Sequence, residues 1–249
     1  QRKYLFSVPR FADVFVRDEF QTVTLTTAPD MTIFINCINK LSLEQHVDNI
    51  HYYFPRVEQL HIHCLIPQSN IEGIVDLNRI RHLTLSVVTD DSEFIPLINR
   101  MPNLYQLCIN RNVKRFLKQA QSKPLETIRS LEIGTTHKVN YGDGSDGDDN
   151  DNDNDNDDNY NLKDLSTVFS RITNLRIAAS CSPEQILNFI ESFHHLSSAS
   201  FYLGKRLSTA RNTIHELIEK LQSSFDLNQH FEKYDFTYRF DSSSVYLWL

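Results

Sequence analysis

Glycine is scarce in this chain, with six residues in 249. Three of them, Gly142, Gly144 and Gly147, fall inside one acidic run, which leaves Gly73, Gly134 and Gly204. That supply excludes the glycine-rich loops that cradle phosphates and the Gly-x-Ser-x-Gly turn of a hydrolase nucleophile, and no His-Glu-x-x-His helix occurs either. No nucleophile has a visible partner, so the sequence points away from an enzyme. Cysteine is scarce too. Cys37, Cys64, Cys108 and Cys181 form no Cys-x-x-Cys pair, and their spacing suits neither a disulfide scaffold nor a zinc finger. The expectation is free thiols in a reducing compartment, cytoplasmic or nuclear. No run of 18 apolar residues occurs, so nothing reads as a membrane-spanning helix. The opening QRKYLFSVPR has neither an initiating Met nor a signal-peptide pattern. It reads as the start of a piece, or a processed product, of something longer.

Basic charge is also in short supply, but unevenly. The net charge is −7. Residues 142–159, GDGSDGDDNDNDNDNDDN, carry nine Asp and no basic residue. Without those nine charges the remainder stands at +2. No strong basic field exists to attract nucleic acid.

What the chain has is a repeat. Written with φ for an apolar residue, the pattern φ-x-x-φ-x-φ occurs at Val57/Leu60/Ile62, Ile80/Leu83/Leu85, Leu104/Leu107/Ile109, Ile128/Leu131/Ile133, Ile172/Leu175/Ile177 and Leu196/Ala199/Phe201. The central residues step by 23, 24, 24, 44 and 24. A fixed period in this range points to a solenoid. The last four letters of each copy alternate as a half-buried strand does. Between them lies a helical period: Phe94, Leu97, Ile98 and Met101; Val113, Phe116, Leu117 and Ala120; Ile186, Phe189, Ile190 and Phe193. Ser182-Pro183-Glu184-Gln185 supplies a cap, a proline at the first helical position and a glutamine at the third. Pro102 and Pro124 follow helical stretches and help to end them.

The 44-residue step has a local explanation. Leu162, Leu165 and Phe169 form the usual stripe before Leu175, so that helix is intact. The excess of 20 residues lies between His137 and about Tyr160, where the acidic run sits. Residues 141–160 therefore read as an insertion, and nine carboxylates without apolar neighbours predict disorder. Alternating Asp and Asn is in keeping with a calcium loop, but no register carries glycine at position six and glutamate at twelve. The run reads as low complexity with weak cation affinity, or as a contact for a basic partner. The ends are less regular. In the irregular N-terminal stretch, residues 1–56, Phe20/Val23/Leu25 fits the pattern, residues 26–42 read as an extra loop or helix, and Val47, Ile50 and Phe54 as a helix. Residues 204–249 read as a capping helix (Leu207, Ala210, Ile214, Leu217, Ile218, Leu221), a further copy at Phe231/Tyr234/Phe236, and two strands around Asp241–Ser244 with Trp248 packed in the last.

The L-x-L core, the interval near 24 and the segment MPNLYQLCI resemble a leucine-rich-repeat protein over about residues 57–203, although the asparagine or cysteine that many such repeats carry after L-x-L is matched only loosely, by Asn110, and the other copies lack it. FPRVEQLHI, MPNLYQLCI and the tail FDSSSVYLWL are similar to the repeat regions of invertebrate F-box/leucine-rich-repeat proteins. The resemblance implies an α/β fold: a curved parallel sheet with helices on its convex side and atypical terminal caps. It also implies that repeats hold a protein substrate while an F-box binds a Skp-type adaptor of a cullin ubiquitin ligase. The F-box itself is absent here, and only YLFSVPRFADVFVRDEF (4–20) reads as a remnant of its end.

If each φ points inward, the intervening residues form three rungs on the concave sheet face. The middle rung is His61, Thr84, Cys108, Glu132, Arg176 and Ser200. The rung before holds Gln59, His82, Gln106, Ser130, Asn174 and Ser198. The rung after holds His63, Ser86, Asn110, Gly134, Ala178 and Tyr202. This small, neutral-polar surface suits a protein or peptide better than a phosphate backbone. Its candidate binding residues are His61, His63, His82, Thr84, Gln106, Cys108, Glu132, Asn174, Arg176 and Tyr202. His61, His63 and Cys64, with His82 beyond, come nearest to a metal set, but zinc wants further ligands and half-exposed polar residues are the plainer reading. His194 and His195 read as a helix end, where cationic groups suit the dipole. No cofactor, metal, nucleic acid or membrane is expected as a partner. The sequence thus reads as a protein-interaction module, the substrate-recognition region of an F-box-type ubiquitin ligase adaptor. A non-ligase repeat scaffold stands as the alternative, and a metal-dependent enzyme as a third.

Overall fold

The computed structural model describes residues 15–16, 35–36, 38–43, 53–63, 68–86, 94–121, 123–134, 161–203, 218–220, 237–241 and 244–249. They form a mixed α/β structure around one open sheet. Its strands are β1 (Phe15–Val16), β2 (Lys40–Leu43), β3 (Gln59–Ile62), β4 (His82–Leu85), β5 (Gln106–Ile109), β6 (Ser130–Ile133), β7 (Asn174–Ser180), β8 (Ser198–Tyr202), β9 (Thr237–Asp241) and β10 (Ser244–Trp248). The order is β1-β2-β3-β4-β5-β6-β7-β8-β10-β9. From β1 to β8 every neighbour is parallel and follows chain order, whereas β8–β10 and β10–β9 are antiparallel. That order is consistent with a repeat solenoid.

Alternation fixes which side chains go inside. Strands β3, β4, β5 and β6 each run half-buried, buried, half-buried, buried. Leu60, Leu83, Leu107, Leu131 and Leu175 are Cα partners in sequence across the sheet, and all five are buried. Fully burying one such side chain is worth roughly 1.5–3 kcal/mol. The leading φ residues Val57, Ile80, Leu104, Ile128 and Ile172 are buried as well, while Leu196 is only partly so. The same backbone bond opens successive strands: His82 N donates to Glu58 O at 3.0 Å, Gln106 N to Arg81 O at 2.9 Å, and Asn174 N to Arg129 O at 3.0 Å.

The connections carry the helices α1 (Gln68–Glu72), α2 (Phe94–Asn99), α3 (Val113–Ala120), α4 (Leu162–Val168) and α5 (Pro183–Ser192), with a 3-10 turn at Leu77–Arg79. In α3 the stripe Val113, Phe116, Leu117 and Ala120 is wholly buried. It belongs to the same core cluster as the strand leucines, so the core lies between strands and helices. Phe116 of α3 and Phe169 beside α4 stack with ring centroids 6.0 Å apart. At the start of α5, Gln185 N donates to Ser182 Oγ at 3.3 Å and Ser182 N donates to Gln185 Oε1 at 2.7 Å, a complete capping box. His194 and His195 lie just beyond that helix and are exposed.

The long step leaves the stack intact. Leu131 and Leu175 are register partners 44 residues apart, as Leu107 and Leu131 are at 24. The inserted segment, expected to be disordered, lies outside the described residues. So do Phe20/Val23/Leu25, Phe231/Tyr234/Phe236, all of the C-terminal helix stripe but Ile218, and positions 4–14 and 17–20 of the expected F-box remnant.

Three expectations need correction. Residues 26–42 are not all loop or helix: Lys40–Leu43 is a strand paired with β3. Ile38, Leu41 and Leu43 repeat the φ-x-x-φ-x-φ pattern and are buried, but Leu41 precedes Leu60 by only 19 residues, a shorter connection than the period predicts. Phe54 does not end a helix. It forms an isolated parallel bridge with Val75, and Pro55 after it disfavours helical backbone there. Tyr202 does not pair with Ala178: a register irregularity between Ile177 and Ser180 sets it opposite Ser180. No helix among the described residues is long and apolar enough to cross a membrane.

Candidate functional site

Burying the φ side chains turns the others to the opposite face of the sheet. The rungs line up as strand register dictates. Ser42, His61, Thr84, Cys108, Glu132, Arg176, Ser200, Tyr246 and Arg239 are successive Cα partners. Beside them run Lys40, Gln59, His82, Gln106, Ser130, Asn174, Ser198, Trp248 and Thr237. Eight of the ten candidate residues thus keep their expected rungs; His63 lies just past β3, and Tyr202 is displaced by the irregularity in β7.

The face divides into three regions. On β2, β3 and β4, Lys40, His61, His63 and His82 gather. The rings of His61 and His63 lie 6.4 Å apart. Burial, then the Lys40 charge and the other two histidines, pull the His61 pKa down to about 4. His61 is therefore neutral at ordinary pH. His63 Nδ1 and Ser86 Oγ are 2.9 Å apart, and Asn110 Nδ2 donates to the same Ser86 oxygen at 3.4 Å. Among the described residues no cluster of three or more His, Cys, Asp or Glu is arranged to hold a metal. Cys64 lies outside them.

In the middle, Cys108 stands between Thr84 and Glu132. Burial first, and the Glu132 carboxylate second, push its thiol up to about 12. Its S–H donates to Asn110 Oδ1 at 3.2 Å. A protonated, hydrogen-bonded thiol is a poor nucleophile. The same Asn110 oxygen stands 2.8 Å from where a side chain at Gly134 would place its Cβ, so glycine gives Asn110 the room it occupies.

The last region, from β5 to β10, is concave. A depression of about 270 Å³ is lined by Gln106, Glu132, Asn174, Arg176, Tyr246 and Trp248, with the hydroxyls of Ser130, Ser198 and Ser200. Four of the ten candidate residues meet here: Gln106, Glu132, Asn174 and Arg176. His61, His63, His82, Thr84, Cys108 and Tyr202 do not line it. Its floor is organised by hydrogen bonds. Ser198 Oγ donates to Asn174 Oδ1 at 2.6 Å. Asn174 Nδ2 donates to Thr173 Oγ1 at 3.0 Å and to the Tyr105 hydroxyl at 3.3 Å. Arg176 Nη1 lies 3.5 Å from Glu132 Oε1, with side-chain exposures of 63% and 26%. So exposed a pair contributes at most about 1 kcal/mol to stability.

No protein-family model, curated protein or solved structure matches the chain. The residues missed in sequence were Tyr246 and Trp248. Trp248 is in the terminal strand but 46% exposed, because β10 enters between β8 and β9 and turns it to the polar face. The alternation of Val245 and Leu247 with Tyr246 and Trp248 was the available signal.

Proposed function

We propose that this chain is a protein-interaction module, a leucine-rich-repeat solenoid whose helices form the convex side and whose polar sheet face receives an extended peptide or protein surface. One observation carries the reading: a depression on the polar face combines a preorganised amide floor, an exposed guanidinium and an exposed tryptophan. Aromatic and Arg side chains of this kind dominate protein-binding energetics. The thiol of Cys108, held protonated by burial, is poorly suited to act as a nucleophile. In the parent chain the role is substrate recognition for an F-box-type ubiquitin ligase, with an upstream F-box joining a Skp-type adaptor. Copurification of the full-length parent with a Skp-type adaptor tests the ligase role. If the parent fails to copurify while this chain still binds peptide through its polar face, the chain is a non-ligase scaffold. Arg176→Ala weakens peptide binding and leaves the melting temperature nearly unchanged; a large loss of stability means the face is misassigned.

A further inference from the structure

We infer that the depression between β5 and β10 takes an extended peptide carrying a carboxylate near an aromatic side chain, with Arg176 receiving the carboxylate and Trp248 the ring. The inference rests on the protein-interaction reading and narrows its partner class. Size sets the first limit. At about 270 Å³, the depression has room for one or two side chains, below the roughly 300–1,000 Å³ typical of small-molecule sites.

Charge decides the sign. A guanidinium offers five N–H donors in a planar fork that matches a carboxylate. Arg176 spends one contact on Glu132, at 3.5 Å. Its side chain is the more exposed of the two by a wide margin, so an approaching group meets the guanidinium first. A basic segment is repelled there, and Glu132 is already faced by Arg176. Arg239, on the same rung beyond Tyr246, adds a second positive charge. Asp241 lies one rung further along that strand, opposite Ser244.

The aromatic wall supplies the second half. Tyr246 and Trp248 stand two strands from Arg176 and Asn174, a separation of about 10 Å at ordinary strand spacing. Arg176 and Trp248 are also two residues apart along the strands, which makes their separation about 12 Å, or three to four residues of extended chain. An indole exposed at the rim of a polar floor gains from stacking an incoming ring.

The test is a random-peptide display selection on the full chain, followed by titration of the enriched synthetic peptides. Trp248 is the only tryptophan in the chain, so its fluorescence reports occupancy directly. The expected binders carry Asp or Glu three or four positions from Phe, Tyr or Trp. Replacing that acid by its amide, or making Arg176→Gln in the protein, weakens them by about tenfold or more. Neutral or basic binders that still perturb Trp248 overturn this inference and leave the interaction reading standing. A selection without binders that perturb Trp248 overturns both. Unchanged melting of Arg176→Gln separates lost binding from lost folding.

Discussion

Replacing Leu107 by alanine should destabilise the protein far more than replacing its chain neighbour Gln106. Leu107 is fully buried in β5, with Leu83 and Leu131 as its partners on either side. The change removes three carbons, worth roughly 0.8 kcal/mol each in transfer free energy, or about 2.4 kcal/mol. Neighbouring strands are held by backbone hydrogen bonds and collapse only partly into the space. The residual cavity raises the expected loss to about 3–4 kcal/mol, within the usual Leu→Ala range. A domain with about 5–15 kcal/mol of stability registers that clearly. Gln106, half-buried on the polar face, should change stability by no more than about 0.5 kcal/mol. Urea unfolding followed by circular dichroism measures both, and the midpoint should shift without a change in slope. A loss below about 1 kcal/mol for Leu107→Ala, or an equal loss for Gln106→Ala, refutes the alternation on which both faces depend.

Two further predictions concern a cap and a titration. Ser182→Ala removes the side-chain half of the α5 capping box and should cost about 1 kcal/mol in thermal unfolding, while Ser182→Asp retains most of it; equal losses would contradict the cap's role. His61 is held near pKa 4 in the fold against an ordinary 6.5. The unfolded chain takes up that proton as pH falls through 6.5, whereas the folded chain refuses it until about 4, so stability declines across this window and is constant above it. His61→Gln should flatten the decline in urea midpoints between those pH values, and an unchanged slope would count against it.

The strands β3 to β8 were legible because each copy keeps φ-x-x-φ-x-φ and every step but the one across the insertion is near 24. Ile38, Leu41 and Leu43 keep the same letters, yet a search at fixed period passes over them because their step to Leu60 is 19. The irregularity in β7 had no sequence signal: Ala178 and Ala179 are small enough to sit on either face. The tail showed its alternation but not its place in the sheet. Antiparallel insertion of β10 between β8 and β9 is a tertiary choice, and it alone brings Trp248 beside Ser198, one strand beyond Asn174. The candidate site was therefore half legible: its polar floor followed from counting, and its aromatic wall did not.

The central claim is that side chains two dozen residues apart form one continuous interior, even across the acidic insertion. Methyl nuclear Overhauser measurements on leucine-labelled protein test it directly. Leu131 and Leu175 should give a cross-peak as strong as that between Leu107 and Leu131, and Leu83 with Leu175 should give none. Absence of the Leu131–Leu175 contact, with the Leu107–Leu131 contact present, would break the stack at the insertion and contradict the account.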